Sequence, residues 1–410
     1  MDIFLARQPV FDRDLKVIAY ELLYRSNLEN NANNIDCPNK ATMDVLVNAF
    51  TEIGLEKITC GLPALVNVTE DILLEGHLPK GLHTLLIPEL LETISVTPEL
   101  IKEIELLTNL GYRYALDDFI YSDQWVPLIP SCIFLKLDVK MLGVLGVRKQ
   151  LEKLKFITEV RGKLLAEKVE SYKEFELYRA LGFDFFQGYF LCRPQVLSGE
   201  GVSASGEIIL SLLSELSNDD FDIDRVQRII YQDPRLSYKL LRVVNSASFG
   251  LSRTIKSIAD TIVILGANEL RRWVGMLALS SVDNKPNELL VTAIVRARMC
   301  ERVAEQLERR NCSTYFTAGL LSLLDALLNR PITTIVEQMP LSAELEMALV
   351  SGGGDVGQVL RSVKAYERGK FEEVELVELA ELDACVLKDI YLESITWADS
   401  IKQCLKDAPE

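Results

Sequence analysis

Histidine is nearly absent from this chain of 410 residues, and its scarcity limits the metal chemistry open to the protein. The two histidines, His77 and His83, both lie in the first half of the sequence and are interpreted as surface or packing residues. The eight cysteines are scattered without a C-x-x-C pair. That pattern is typical of reduced thiols and excludes a disulfide framework or a cysteine-based zinc site.

Long apolar runs and basic runs are absent as well. No stretch reaches the roughly 18 uninterrupted apolar residues of a membrane span, and residues 1–13 carry charges too early for a signal peptide. We therefore expect a soluble, cytoplasmic protein without a membrane partner. No basic run offsets the formal net charge of -16, so nucleic acid is not expected as a ligand, because its binding depends on Lys and Arg. A small dianionic nucleotide stays compatible where metal ions supply positive charge.

The length and the change of pattern along the chain predict two domains. Residues 1–197 alternate short apolar runs with amphipathic stretches, as at 42–53 and 98–107. This alternation predicts an α/β fold, a TIM-like (β/α) barrel near the lower size limit with trimmed helices or shortened loops. Residues 198–206 are small and polar, which predicts a linker. Residues 207–410 predict an all-α domain, with helices at 207–216, at 234–244 after Asp233, and at 258–265 before Gly266.

Seven acidic or polar motifs follow apolar runs of strand length in the first domain. They begin at Glu21, Asn67, Glu89, Asp117, Lys136, Ala166 and Gln187. A barrel gathers such strand ends on one face, where carboxylate and amide oxygens would hold Mg²⁺ or Mn²⁺. Any single motif has an ordinary alternative, such as a helix cap at Asp117-Asp118 or a surface charge at Lys136. The occurrence of the whole set, each motif beside a strand-like run, favours a metal site.

The motif series, read from Gln8-Pro9-Val10 to Arg193-Pro194, resembles the EAL domain, the phosphodiesterase that linearises cyclic di-GMP. The signature triplet of that family appears here as Glu21-Leu22-Leu23. The resemblance covers roughly half of the chain and follows the order of the family motifs. It implies a two-metal site for Mg²⁺ or Mn²⁺, cyclic di-GMP as substrate and linear pGpG as product.

The resemblance also assigns roles to individual residues. The implied metal ligands are Glu21, Asn67, Glu89, Asp117 and Asp118, with Asp117 shared between the two ions. The implied catalytic residues are Glu167 as general base and Lys136 as the group that orients the attacking water. The implied substrate contacts are Gln8, Arg25, Asp138 and Gln187, with Asp138 at a guanine edge. The implied anchors of the loop after Asp118 are Glu92 and Glu170.

Three departures from the family pattern keep the activity open. Ile120 and Lys168 stand where active members usually carry glycine, and Leu22 replaces the alanine of the signature. The first hypothesis is a metal-dependent phosphodiesterase. The alternative is a weak or inactive EAL domain that acts as a cyclic di-GMP receptor or as a protein-interaction scaffold.

The second domain resembles the HDOD family at residues 233–250, at residues 255–266 and at Ala318-Gly319-Leu320-Leu321. Enzymes of the related HD family carry His-Asp after such a segment, whereas this chain has Ser322-Leu323. Without imidazole ligands an HD-type metal centre cannot form. The resemblance therefore implies a non-catalytic regulatory domain that binds an unknown protein partner in bacterial signalling, for example in motility or biofilm control, and it leaves a homodimer open.

Overall fold

The chain folds into two units in a computed structural model. The model describes residues 3–26, 55–75, 78, 81–155, 157, 163–193, 204–218, 221–245, 255, 257–282, 285–339, 341–375, 382 and 384–406. The first unit is formed by Met1–Leu191 with Glu367–Gly369, and the second by Cys192–Tyr366 with Lys370–Glu410. None of the helices in these described ranges is both long and apolar enough to cross a membrane.

Eight strands close into a barrel in the first unit, in the order of the sequence. They are β1 (Ile3–Phe11), β2 (Val17–Ser26), β3 (Ala64–Val68), β4 (Leu86–Leu90), β5 (Ala115–Leu116), β6 (Phe134–Asp138), β7 (Lys163–Glu167) and β8 (Phe185–Gln187). Strands β2 to β8 run parallel, and β1 runs antiparallel to both of its neighbours, β2 and β8. The predicted barrel is confirmed, with one reversed strand.

The reversal of β1 follows from the short connection between β1 and β2. Only antiparallel strands can be joined by so tight a turn, since a parallel pair needs a crossover of a dozen or more residues. The Asp12 carboxylate accepts hydrogen bonds from the backbone N–H of Asp14 and of Lys16, at 2.8 and 2.9 Å. These bonds close the turn and fix the register of the hairpin.

Five helices of 5 to 16 residues accompany the strands of the barrel in the described part of the chain. They are α1 (Leu55–Thr59), α2 (Glu70–Leu74), α3 (Pro98–Asn109), α4 (Val139–Leu154) and α5 (Tyr172–Ala180). The helix predicted at 98–107 is α3, which is capped by the Thr97 hydroxyl and has Pro98 at its first position. Between β5 and β6, where every residue is described, two 3-10 turns replace a helix. The helix predicted at 42–53 lies outside the described residues.

An apolar layer fills the interior of the barrel, with one side chain from each strand. Its members are Val10, Ala19, Leu65, Ile87, Ala115, Phe134 and Leu165, with Phe185 packed against them. Alternate residues of a strand share a face, so such a layer repeats every two residues along each strand. The layer therefore sets the height at which the next set of inward-facing residues must lie.

The second unit is helical throughout its described residues. Its helices are α6 (Ala204–Leu216), α7 (Ile223–Gln232), α8 (Pro234–Val244), α9 (Ile258–Ser280), α10 (Asn287–Gln306), α11 (Cys312–Leu321), α12 (Leu324–Leu328), α13 (Ile332–Glu337), α14 (Ala343–Val350), α15 (Gly354–Glu367), α16 (Phe371–Glu375) and α17 (Ala384–Lys406). The Asp233 carboxylate accepts from the backbone N–H of Leu236 and caps α8, as the sequence predicts.

Two details differ from the sequence-based expectation for this unit. Gly266 interrupts α9 with a φ of 70° but does not end it, because the helix continues to Ser280. Helix α6 begins at Ala204, within the predicted linker 198–206, whose residues 198–203 lie outside the described part. Residues 246–250, which belong to the HDOD-like segment, also lie outside it. The domain limits themselves stay a prediction.

Candidate active site

A polar layer lies directly beyond the apolar layer, at the carboxyl ends of the parallel strands. Its members are Gln8, Glu21, Asn67, Glu89, Asp117, Lys136, Glu167 and Gln187. Each stands two residues beyond an apolar-layer residue on β2 to β8, and two residues before one on the reversed strand β1. The period of two therefore turns all eight side chains to the inside of the barrel. The structure brings these predicted site residues together.

Lys136 occupies the centre of the polar layer. Its side chain is completely buried, and its Nζ lies 2.5 Å from Glu89, 2.7 Å from Asp117, 3.0 Å from Glu167 and 3.5 Å from Glu21. Burial alone would lower the pKa of Lys136, but these four carboxylates outweigh it and raise the pKa well above the usual value. Lys136 is thus a buried ammonium ion, which excludes the alternative that it is a surface charge.

The carboxylates around Lys136 carry more negative charge than one ammonium can balance. Burial raises the pKa of Glu89, Lys136 opposes this, and the charges of Glu21 and Asp117 raise it further. Burial likewise raises the pKa of Glu167, to about 8, against the opposing effect of Lys136 and with the help of Asp117 and Glu21. A carboxyl group with a pKa near neutrality can accept and release a proton under physiological conditions.

Several buried oxygens of the site have no hydrogen-bond partner among the described residues. They are Asn67 Oδ1, Glu89 Oε2, Asp118 Oδ1, Glu167 Oε2 and Gln187 Oε1. A buried polar atom without a partner costs free energy, so such atoms are few in folded proteins and call for an explanation. Five acceptor atoms in one place, and one ammonium group among them, indicate a site shaped for a cationic or hydrogen-bonding ligand.

Gln187 holds one of these carboxylates in place. Its Nε2 donates to Glu21 Oε2 at 2.5 Å. Gly188, which follows it, allows β8 to approach β7, because a Cβ at this position would lie 2.1 Å from the carbonyl oxygen of Val169. The backbone N–H of Val169 donates to the carbonyl of Gln187 at 3.0 Å. The Gln187-Gly188 motif therefore positions Glu21 across the barrel.

The donor set suits a hard divalent cation in chemistry, since Mg²⁺ and Mn²⁺ prefer carboxylate and amide oxygens. No three Asp, Glu, His or Cys side chains in the described residues already surround one point as metal ligands do. The ion pairs explain this, because the carboxylates of Glu21, Glu89, Asp117 and Glu167 are directed at Lys136 Nζ. The unpartnered oxygens of Asn67 and Glu89 are the atoms that such an ion would engage first.

A second group of charges, the mouth cluster of Asp118, Asp138 and Lys168, lies beside the polar layer. Lys168 Nζ is 2.5 Å from Asp138 Oδ2 and 3.9 Å from Asp118 Oδ1. Asp138 Oδ1 accepts from the backbone N–H of Met141 at 2.8 Å and so caps α4. The sequence did not reveal Lys168 as a partner of these carboxylates. Its only signal was a lysine at a position where the resemblance to the EAL family implies glycine.

The pKa values of the two carboxyl groups in the mouth cluster shift in opposite directions. Burial raises the pKa of Asp118, Lys168 lowers it, and the carboxylates of Asp117, Asp138 and Glu92 raise it further. For Asp138 burial also raises the pKa, but the hydrogen bonds from Lys168 and Met141 outweigh it and lower the pKa overall. Asp138 is therefore the more firmly ionised of the two.

The remaining predicted residues lie around this face of the barrel. Gln8 pairs directly with Glu21 across the β1–β2 ladder and shares its face. Arg25 pairs with Phe4 in the same ladder, and its side chain lies outside the described part of the chain. The functional roles of both residues stay predictions.

The two predicted loop anchors, Glu92 and Glu170, have different surroundings. Glu92 lines a cavity of about 420 Å³ together with Asp118, Ile120 and Ser122 of the loop after β5. Glu170 forms an ion pair with Lys140 on α4. The anchoring role stays a prediction for both.

In the helical unit, an arginine side chain binds Ser322, which stands where an HD enzyme carries the first residue of its His-Asp pair. Buried Arg296 donates to the hydroxyl of Ser322 at 2.8 Å, and that hydroxyl donates to the carbonyl of Gly319 at 2.7 Å. A guanidinium group is always protonated. A permanent positive charge beside Ser322 repels a metal cation. Ser322 is therefore better suited to a structural role than to metal binding.

The chain is similar to several known proteins, some over its whole length and others over part of it. A family profile described as the HDOD domain matches residues 204–333. The protein YuxH of Bacillus subtilis (strain 168), described as uncharacterized, is 35% identical over 409 residues, which are 98% of this chain and 99% of the relative. A solved structure of a standalone EAL protein from Vibrio cholerae O395, in a c-di-GMP-bound form, is 24% identical over 46% of this chain and 90% of its own, with a TM-score of 0.35.

A further relative carries a functional name. The cyclic di-GMP phosphodiesterase CdgJ of Vibrio cholerae serotype O1 is 31% identical over 407 residues, which cover 98% of this chain and 94% of the relative. Near-complete coverage at this identity extends the relationship over both units. The chain belongs to the family of EAL–HDOD proteins, in which an EAL barrel precedes an HDOD domain.

Proposed function

We propose that the barrel hydrolyses cyclic di-GMP to linear pGpG in the presence of Mg²⁺ or Mn²⁺. The observation that carries this proposal is the polar layer, in which oxygen donors without hydrogen-bond partners among the described residues surround a single buried ammonium ion. Membership of a family that includes a cyclic di-GMP phosphodiesterase supports the same reaction.

Charge supplies the reason for metal dependence. Six carboxylates converge at this end of the barrel against the two ammonium groups of Lys136 and Lys168: those of Glu21, Glu89, Asp117, Asp118, Asp138 and Glu167. A cyclic dinucleotide is itself a dianion and would be repelled by this surplus. A bound divalent ion neutralises phosphate oxygens and lowers the pKa of a water molecule. Asn67, Glu89, Asp117 and Asp118 would hold such ions, with Glu21 positioned by Gln187.

The reaction divides between two residues of the chain. Glu167 in its ionised form accepts the proton of the attacking water, and burial raises its affinity for that proton. The water oxygen forms a bond to phosphorus, the P–O3′ bond breaks, the departing O3′ takes up a proton from solvent, and the ring opens to pGpG. Lys136 stays protonated throughout and stabilises the negative charge that develops on the phosphate oxygens.

The test is single-turnover hydrolysis of cyclic di-GMP by the full chain with Mn²⁺ or Mg²⁺. We expect metal-dependent formation of pGpG, none with Ca²⁺ alone, and a loss of about 10²–10⁴-fold in rate for Glu167→Ala, the scale of a general base. The matched control is Glu105→Ala, which removes an exposed carboxylate on α3 and should leave the rate unchanged.

Equal turnover by the wild type and Glu167→Ala would show that Glu167 is not the base. Calorimetry on the same samples distinguishes the remaining cases. Tight binding of cyclic di-GMP without turnover would make the protein a receptor. Absence of both would leave the barrel as a protein-interaction surface and would reject the proposal.

One observation favours the receptor as the second candidate. Lys168 forms ion pairs with Asp118 and Asp138, and so already provides positive charge at the outer part of the site. Ile120, half exposed in the adjoining loop, replaces a glycine of active members. A barrel with these replacements would retain the ligand with slower turnover.

The helical unit acts in this proposal as a non-catalytic module that regulates the barrel or binds a protein partner. The ion pairing of its polar side chains and the Arg296–Ser322 contact support a structural use of those residues. A version of the chain with Arg296→Gln should lose stability in this unit and should not gain hydrolase activity.

A further inference from the structure

Lys168 is unusual in both its contacts and its backbone. Its ammonium group bridges Asp138 at 2.5 Å and Asp118 at 3.9 Å, and more than half of its side chain is exposed to solvent. Its φ is +57°, in the left-handed region that side chains other than glycine seldom adopt. Asp118, the more distant of its two carboxylate partners, also has a positive φ, of +39°. Two residues in costly backbone conformations thus meet through an ion pair at the mouth of the site.

The contact has few structural duties of its own. The cap of α4 is provided by the other oxygen of Asp138, which accepts from Met141. The ammonium group of Lys168 is more than half exposed, so solvent screening reduces what its pairing with buried Asp138 contributes to stability. The pair does place a positive charge beside Asp118. Asp118 forms no ion pair with Lys136, and its buried Oδ1 has no hydrogen-bond partner among the described residues.

We propose that Lys168 is a tethered counter-ion that sets the affinity of the Asp118 side of the site for a second divalent cation. Its ammonium group lies next to the same carboxylates that would attract the ion. The two positive charges compete, and an ion that binds at Asp118 must displace Lys168 or tolerate its repulsion. The first ion, held within the polar layer, is less affected. Lys168 is a positioning residue in this scheme, and the inference rests on the proposed function.

The competition predicts a specific change in metal binding. Mn²⁺ is titrated into the metal-free full chain, and free Mn²⁺ is counted by its electron paramagnetic resonance signal. We expect the wild type to bind one ion tightly and a second weakly. Lys168→Met should strengthen the second binding step about tenfold, the scale expected for removing one partly exposed charge, and leave the first step unchanged.

Three companion variants separate charge from structure. Lys168→Arg keeps the charge and should bind as the wild type does. Lys140→Met removes a neighbouring exposed ammonium, the partner of Glu170, and should also leave both steps unchanged. Lys168→Gly removes the charge while relieving the left-handed backbone, and it serves as the test if the methionine variant does not fold. The gain from Lys168→Met should disappear in the double variant with Asp118→Asn.

The outcomes distinguish this inference from the proposed function. If the wild type binds Mn²⁺ and hydrolyses cyclic di-GMP while Lys168→Met and Lys168→Gly show an unchanged second step, the counter-ion role is wrong and the hydrolase stands. A strengthened second step for Lys140→Met as well would reduce the effect to general charge and overturn the role of Lys168. If the wild type binds no Mn²⁺ and shows no turnover, both proposals fail.

Discussion

Each unit of the chain contains a cluster of charged side chains around a buried carboxylate, and the two clusters differ in how fully their carboxylates are paired. In the barrel, four carboxylates of the polar layer face the single ammonium of Lys136. In the helical unit, three arginines face four glutamates in what we call the arginine–glutamate network. Its members are Arg272, Arg298, Arg302, Glu269, Glu301, Glu305 and Glu393.

The network pairs each of its carboxylates with a guanidinium group. Glu301, which is 1% exposed, is paired with both Arg272 and Arg298. Glu393 accepts from Arg298 and from Arg302, at 3.1 Å each. Every carboxylate of the network thus faces at least one guanidinium. The polar layer instead leaves several oxygens without partners among the described residues. A buried carboxylate therefore stabilises the structure where guanidinium groups pair with it, and it favours a cationic ligand where such partners are too few.

The largest expected effect on stability comes from removing the shared buried carboxylate of the arginine–glutamate network. Glu301→Ala leaves Arg272 and Arg298 without their shared buried carboxylate, so the free energy of unfolding of this unit should fall by about 3–5 kcal/mol. Urea denaturation reports this through the fluorescence of Trp273 and Trp397 in a Trp125→Phe background. The control Glu305→Ala removes a more exposed member and should cost less than about 1 kcal/mol. Equal losses for the two variants would contradict the comparison.

The second prediction concerns the polar layer of the barrel, to which a bound cation would add positive charge. Mn²⁺ at about 100 times its dissociation constant should raise the free energy of unfolding of the barrel by about 2.7 kcal/mol, because the ion binds only the folded site. Hydrogen exchange should show stronger protection in β6 and β7 and little change in α10. Protection that rose only in α10 would show that the ion binds the wrong cluster.

The unbalanced cluster should also make the metal-free barrel sensitive to pH. Glu167 has a pKa of about 8 in the folded protein, above its ordinary value of 4.5. The folded state therefore binds more protons between these values, and the free energy of unfolding should fall on the order of 1–2 kcal/mol from pH 6 to pH 8. Denaturation in the presence of a chelator measures it. Glu167→Gln should flatten the dependence, and an equally steep curve for that variant would refute the assignment.

The smallest effect is expected from neutralising one member of the polar layer. Burial and neighbouring carboxylates raise the pKa of Glu89, so its ionised form is disfavoured in the folded protein. Glu89→Gln should stabilise the metal-free protein at pH 8 by about 1 kcal/mol while weakening its binding of Mn²⁺. Thermal unfolding and the Mn²⁺ titration give both values. Glu105→Gln on the surface of α3 should change neither, and a loss of stability in Glu89→Gln would contradict the comparison.

Sequence reasoning located the polar layer because its signal is local. A polar residue two positions beyond a buried apolar one, as at Leu65 and Asn67 or Ile87 and Glu89, is visible in the sequence alone. The alternation of strand and helix patterns likewise predicted the barrel, and apolar residues at helical spacing predicted the all-helical second unit. The order of the motifs, read together with their family resemblance, identified the family.

The features that sequence reasoning missed depend on contacts across the barrel. Lys136 meets Glu21, whose strand is four strands away along the sheet, only because the sheet closes on itself. The bridge between Lys168 and Asp138 depends on the register of β6 and β7. The reversal of β1 was not predicted, although the short turn at Asp12 was available as a signal. Distances of this kind follow from closure and register, which no local pattern encodes.

The two-residue spacing between the layers also bears on how such a barrel changes over many generations. Each polar-layer residue is carried by its own strand, above an apolar residue that holds the strand in place. A substitution in the polar layer therefore alters the chemistry first, and an apolar replacement of one of the surplus carboxylates removes oxygens that lack hydrogen-bond partners among the described residues. Without selection for the ligand, drift would erase the chemistry first and leave the barrel intact. Descendants that only bind, or only associate with other proteins, lie a few substitutions away from an enzyme of this design.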